Sequence, residues 1–166
     1  MFKAAYLRGE FKLRSGKTSK EYFDKYRFEA DPELLAEIAK KMTNLLPKGT
    51  EVLAGLEMGG IPIATALSLQ TGLPLCFVRK NAKEYGTMKF AEGTAIENKK
   101  ICIIEDIITT GGQVIESASQ LRKLGAQVAD VLCVIDREEG GRDKLHDQGL
   151  KLQSLFKMNE LKTVQL

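Results

Sequence analysis

The chain holds few of the side chains that most often carry acid–base or thiol chemistry. One histidine, His146, and three cysteines, Cys76, Cys102 and Cys133, are spread over 166 residues. His146 falls outside every loop that looks chemically equipped, so it is expected at the surface and a histidine base is not the expected mode. Each cysteine sits inside an apolar run, and none has the spacing of a zinc site. All three are expected to act as small buried hydrophobes. No apolar stretch approaches the length of a membrane span, and the first residues lack the h-region of a signal peptide. Cytoplasmic residence without a membrane partner is therefore the default. There is no internal repeat and no low-complexity linker, so residues 1–166 are expected to form a single domain. The net charge of +3 is too small to imply nucleic-acid binding by itself.

What is present is more specific. The chain is 43% hydrophobic and 28% charged, the balance of a soluble globular protein. Its most informative stretch runs from Ile101 to Gly112. An apolar, β-branched run, Ile101–Ile104, fits a strand covered on both faces. It is expected to end at two adjacent carboxylates, Glu105 and Asp106. A hydroxyl- and glycine-rich turn follows, Thr109-Thr110-Gly111-Gly112, and a helical pattern starts at Gln113. Glycines here let the backbone turn and bring a ligand close to main-chain N–H groups. The helix points unpaired N–H groups and its positive dipole end into the same turn, where a phosphate is stabilised. Two carboxylates beside a phosphate are unfavourable unless a cation lies between them or they bind sugar hydroxyls. The plain alternative is a strand end followed by a threonine cap.

The rest of the chain alternates. Two short strands, Phe11–Leu13 and Tyr22–Asp24, are expected around a Ser-Gly-Lys-Thr-Ser turn. Asp31 caps a helix with Pro32 in its first turn. Strands are expected at Val52–Ala54, Leu75–Arg79, Val128–Ile135 and Lys151–Phe156, with helices at Ile61–Thr71, Gln113–Leu124 and Gly141–Gln148. Residues 81–100 read as one long polar segment. Strands alternating with helices imply an α/β fold with a mainly parallel central sheet flanked by helices. Ligands bind such sheets beyond the carboxyl ends of the strands. Three further loops fall at those ends. Gly55–Pro62, containing Glu57, Met58, Gly59 and Gly60, opens a helix and could approach an anion. Arg79–Thr94 supplies Arg79, Lys80, Lys83 and Lys89, and Gly86 and Gly93 bracket a segment that could close as a lid. Asp136–Gly141 presents Arg137, either in a surface ion pair or in a bidentate contact with a carboxylate.

With these residues together, the chain resembles the type I phosphoribosyltransferases, and most closely their orotate-using branch. The motif from Ile103 to Gly112 resembles the family's phosphoribosyl-pyrophosphate (PRPP) motif. Phe11–Gly16, Tyr22-Phe23-Asp24, Arg79–Gly86 and Asp136–Gly141 resemble the orotate branch in the same order along the chain. The resemblance implies a central sheet with a small hood built from about residues 1–30 and 150–166. It implies that PRPP is bound by Met58, Gly59, Arg79, Lys80, Lys83, Tyr85, Glu105, Asp106, Thr109, Thr110, Gly111, Gly112 and Gln113. Arg14, Tyr22, Phe23, Thr109 and Arg137 would surround orotate. Lys83, Glu105 and Asp106 would be the catalytic residues. Mg²⁺ would be held mainly by the substrate's own oxygens, near Glu105 and Asp106, with no firm protein ligand. The implied reaction joins PRPP and orotate to give orotidine 5′-monophosphate (OMP) and pyrophosphate, in a homodimer whose Lys83 reaches the neighbouring subunit. Only ten residues precede Phe11, where the family usually has a longer helical segment, and Arg14 stands where many relatives have lysine. Two other readings stay open: transfer to a different nucleobase, and a PRPP-sensing, nucleic-acid-binding regulator with little catalysis.

Overall fold

The computed structural model describes residues 1–12, 16–81 and 89–163. Its centre is a six-stranded sheet. β3 (Val52–Leu56), β4 (Leu75–Val78), β6 (Lys100–Ile108), β7 (Gln127–Asp136) and β8 (Lys151–Lys157) run parallel, and the short β5 (Ala91–Gly93) pairs antiparallel with β4. The order is β5-β4-β3-β6-β7-β8, which puts β3 and β6 side by side at the middle. Their carboxyl ends are where a ligand binds in a sheet of this kind.

Two apolar layers cover the sheet. On one face Val52, Ala54, Ile101, Ile103, Val131 and Cys133 pack against α5 (Gly112–Lys123) and α6 (Gly141–Asp147). On the other face Leu53, Cys102, Ile104, Leu132 and Val134 meet α3 (Pro32–Thr43) and α4 (Gly60–Thr71). The alternation of side chains along each strand assigns neighbours to opposite layers, so each strand is apolar on both sides. All three cysteines are buried and unpaired within these layers. Burial pushes the Cys76 thiol up to about 12 and raises Cys102 and Cys133 as well, so all three stay protonated and inert near neutral pH. His146 is exposed on α6.

The N-terminal part adds α1 (Phe2–Ala5), an antiparallel pair β1 (Tyr6–Lys12) and β2 (Thr18–Phe23), and α2 (Tyr26–Glu29). Phe2, Ala5 and Phe28 join the α3–α4 layer, as do Met158 and Leu161 of α7 (Met158–Thr163). The C-terminal stretch expected in the hood thus divides. Residues 151–157 are the edge strand β8 of the central sheet, and α7 contributes Met158 and Leu161 to the same apolar cluster as α1 and α2.

Several boundaries differ from expectation. β6 does not stop before its carboxylates; it continues through Glu105 and Asp106 to Ile108, because Glu105, Ile107 and Ile108 still pair with β7. β3 likewise runs to Leu56, held by β4, so the glycine loop begins at Glu57 rather than Gly55. The polar 81–100 segment contains β5, and Gly93 pairs with Cys76 inside it, so that glycine belongs to the sheet and not to a lid hinge. β1 starts five residues earlier than Phe11 because Tyr6 and Leu7 pair with Phe23 and Tyr22. The helix at Asp31 follows expectation, with the Asp31 carboxylate accepting from the N–H groups of Glu33 and Leu34.

Candidate active site

The carboxylates of β6 lie beneath the loop that joins β3 to α4. Asp106 is 1% exposed. A Cβ placed on Gly59 would fall 1.5 Å from Asp106 Oδ2, and one on Gly60 would fall 2.3 Å from the Ile104 carbonyl and 2.9 Å from Glu105 Oε2. Only glycine lets this loop sit against the strand. The peptide between Glu57 and Met58 is cis. Glu57 ties the same loop to the end of β4, accepting from the Lys80 N–H at 2.6 Å. Arg79 is held there too, its N–H donating to the Phe90 carbonyl and its Nε 3.9 Å from Glu92.

Electrostatics concentrate on Asp106. Lys25, from the turn between β2 and α2, places Nζ 2.5 Å from Asp106 Oδ2. Glu29, on α2, is buried beside the same carboxylate. Burial and hydrogen bonding to Asp106 push the Glu29 carboxyl up to about 8. Burial, reinforced by the charge of Asp106, also lifts Glu105 well above the usual carboxylate range. Burial opposes the Lys25 ammonium, yet Asp106 outweighs it and Lys25 titrates above its ordinary value. Three carboxylates therefore crowd around one ammonium, and burial among like charges raises the proton affinity of Glu29 and Glu105.

The turn after β6 opens α5. Gly111 takes a left-handed φ of 75°, which a side chain would strain. The first turns of α4 and α5 both lack acidic residues, leaving their positive ends open to an anion. Thr109 is half-buried, Thr110 and Gly112 are exposed, and the Gln113 amide reaches Ser117 at 3.5 Å. The loop after β7 packs directly on this turn. A Cβ on Gly141 would lie 2.5 Å from the Thr109 carbonyl. Buried Asp136 shapes that loop, accepting from the Glu138 N–H at 2.8 Å and from Arg142 at 3.0 Å. The Arg137 N–H donates to the Ile108 carbonyl, while its side chain is half-exposed, 3.1 Å from Glu139.

Arg137, Tyr22 and Phe23 line one pocket of about 240 Å³, together with Phe2, Tyr6 and Lys162 among others. The structure thus brings together three of the residues expected around the base. A hollow of about 260 Å³ is lined by Glu57, Ile61 and Arg79 among others, and two larger ones, of about 460 and 640 Å³, lie elsewhere. One is at the amino ends of β6 and β7; the other lies along β5 and the end of α5. Neither includes the carboxylates of β6. Arg14, Lys83 and Tyr85 lie outside the described residues. Phe2, Tyr6, Lys25, Glu29 and Lys162 were not singled out from sequence as site residues. Neither Lys25 nor Glu29 lies in any of the motifs above. No helix among the described residues is long and apolar enough to cross a membrane.

A sheet with PRPP-type loops at the ends of β3 and β6 defines a phosphoribosyl-transferring class of protein, and comparison with known proteins agrees. Residues 26–160 match the phosphoribosyl transferase domain family. A Nocardioides sp. protein named orotate phosphoribosyltransferase is 52% identical over 155 residues, covering 93% of this chain and 87% of the relative. A crystal structure of Mycobacterium tuberculosis orotate phosphoribosyltransferase in complex with Fe(III) dicitrate superposes with a TM-score of 0.88 at 27% identity, covering 96% of this chain and 93% of the other. Another structure of that enzyme, in complex with PRPP, gives 0.84 at 25% identity, covering 97% and 93%. The chain belongs to the phosphoribosyltransferase family, and within it to the orotate phosphoribosyltransferases.

Proposed function

We propose that this chain transfers the 5-phosphoribosyl group of PRPP to N1 of orotate, releasing pyrophosphate and forming OMP, a step of pyrimidine biosynthesis in the cytoplasm. The observation that carries this reading is the packing of Gly59 and Gly60 onto Glu105 and Asp106, at the sheet end where Thr109–Gly112 opens α5. In this reading Thr109–Gln113 cradle the 5′-phosphate with main-chain N–H groups and the helix dipole. Glu105 and Asp106 accept the ribose hydroxyls. Met58 and Gly59 face the pyrophosphate, and Arg79, Lys80, Lys83 and Tyr85 bind it. Tyr22, Phe23, Arg14, Thr109 and Arg137 hold the orotate ring and its carboxylate, Arg137 by a bidentate contact.

Mg²⁺ fits these residues. Glu105 Oε2 is buried without a hydrogen-bond partner, and with Asp106 it would accept hydrogen bonds from the water shell of such an ion. When bound, the ion supplies charge neutralisation at the pyrophosphate. The chain's own residues do the rest. The cations after β4 stabilise the departing pyrophosphate as positive charge develops at the anomeric carbon, and the carboxylates fix the ribose for in-line attack. Orotate N1 can react as an anion, so no strong base is needed, which suits a chain whose one histidine is exposed on α6. The family resemblance supports a homodimer in which Lys83 serves the neighbouring site.

The test is turnover of orotate with PRPP and Mg²⁺, followed by loss of orotate absorbance. Uracil, adenine and hypoxanthine run in parallel with pyrophosphate release as the readout. Metal-dependent turnover of orotate alone is expected. Turnover of another base instead would keep the phosphoribosyl chemistry and overturn the orotate assignment.

A further inference from the structure

The loop facing pyrophosphate has no cation of its own. From Leu56 to Gly60 it reads Leu-Glu-Met-Gly-Gly, and its one charged side chain, Glu57, is engaged with the Lys80 N–H. Yet an ammonium is present at this loop, brought from elsewhere in the chain. A Cβ on Gly59 would lie 3.0 Å from Lys25 Nζ, so Lys25 fills the space that a side chain at position 59 would need. Asp106 is almost fully enclosed, whereas the Lys25 side chain keeps 31% of its surface open. The ammonium therefore has one side on the carboxylate and another toward solvent. The ammonium also lies over the Tyr26 ring, 5.2 Å from its centroid. Lys25 also follows directly on the base-side residues Tyr22 and Phe23, with Asp24 N–H anchored to the Ala5 carbonyl.

We propose that Lys25 is a PRPP-binding residue, pairing with Asp106 in the free protein and turning to the pyrophosphate when substrate arrives. This rests on the functional reading above. The exchange is chemically balanced. Ribose hydroxyls take over the Asp106 carboxylate by donating to it, and the ammonium they displace meets the incoming polyanion. Without this cation, pyrophosphate on the β3 side would face the carboxyl groups of Glu105, Asp106 and Glu29 with no positive charge between them. Because Lys25 sits on the turn that ends β2, its movement also couples PRPP binding to the base pocket.

A purely structural role would be to neutralise Asp106, and the two roles separate by ligand. Titration calorimetry would measure pyrophosphate with Mg²⁺, and separately ribose 5-phosphate, on wild type, Lys25→Met and Lys25→Arg. Lys25→Met should weaken pyrophosphate roughly 10- to 100-fold, the worth of one charge-assisted hydrogen bond. It should leave ribose 5-phosphate within about threefold, and Lys25→Arg should recover most of the pyrophosphate affinity. If Lys25→Met is too unstable to assay, the same change in a Glu29→Gln background removes one carboxylate from the cluster and keeps the comparison. Unchanged pyrophosphate affinity with weakened ribose 5-phosphate would overturn the proposal and leave the transferase reading intact. A wild type that binds pyrophosphate through Lys25 but does not turn over orotate would retain it and sink the orotate assignment.

Discussion

The phosphoribosyl side and the base side of this molecule are built in opposite ways. Every residue of β3 is buried, and β6 buries most of its length between two helical layers. By contrast no residue of β1 or β2 is buried, and the two strands form a sheet of their own. An isolated pair of strands is marginal in water. This one is held by an aromatic path: Tyr6 stacks on Phe2 at 5.0 Å, Phe2 meets Phe23 at 5.6 Å, and Phe23 reaches fully buried Phe28 at 6.2 Å. In the proposed reading the ribose is gripped by the buried strands, while the base meets the exposed strand pair. Misplacement should accordingly cost far more on the first side than on the second.

Gly59→Ala should break the rigid side most severely. The new methyl would overlap Asp106 Oδ2, a carboxylate enclosed on nearly all sides and paired with Lys25. A fall in kcat/KM for PRPP of roughly three orders of magnitude is expected, the scale of a displaced catalytic constellation. The check is steady-state kinetics with thermal melting alongside. A stable variant with near-normal kinetics would show that the loop can lift off β6 freely. Lys83→Ala comes next, with kcat lowered roughly two to three orders of magnitude as one preorganised donor is lost. Single-turnover kinetics would locate that loss in the chemical step, and near-normal turnover would remove Lys83 from the mechanism.

The same contrast explains what could be read in advance. β6, its glycine turn and α5 were legible because one strand, one loop and one helix lie together in sequence, and their chemistry follows from spacing. Where β6 ends was not legible. Glu105 looks like a strand terminus by polarity, but pairing with β7 overrides that local signal. The ion pair of Lys25 with Asp106 joins residues 81 positions apart, and nothing local in either segment announces it. Likewise the pocket proposed for the base collects Phe2, Tyr22, Arg137 and Lys162 from distant parts of the chain. Tyr22, Phe23 and Arg137 were reached through family motifs, whereas Phe2 and Lys162 are placed there only by α1 and α7 folding beside one another.

Arg137→Ala sharpens the comparison on the adjustable side. The loop carrying it is fixed by Asp136 and Arg142, not by the Arg137 side chain, so the backbone should survive the change. The KM for orotate should rise roughly 10- to 100-fold, and that for PRPP should stay within about threefold. Equal rises in both would mean that Arg137 supports the Thr109–Gly112 turn instead of the base.

Glu29→Gln gives the smallest effect and bears on the junction of the two sides, since α2 follows β2 and the Glu29 carboxyl is buried beside Asp106. Burial and Asp106 raise the folded-state pKa of Glu29 from 4.5 to about 8. An acid whose pKa is raised by folding binds its proton more tightly in the native state than in the unfolded chain. Its contribution to stability is therefore complete below about pH 4.5 and is lost as pH climbs through 8. Glutamine keeps the shape, can donate to Asp106, and does not titrate. The melting temperatures of parent and variant should nearly coincide at pH 5 and separate by pH 8, with the variant higher by roughly 4 °C or more. Parallel melting profiles across that range would mean that Glu29 is already ionised in the folded protein, with the Lys25 ammonium shared between it and Asp106. That outcome would also weaken the hold of Asp106 on Lys25, so the same titration tests how firmly the turn between β2 and α2 is fastened to β6.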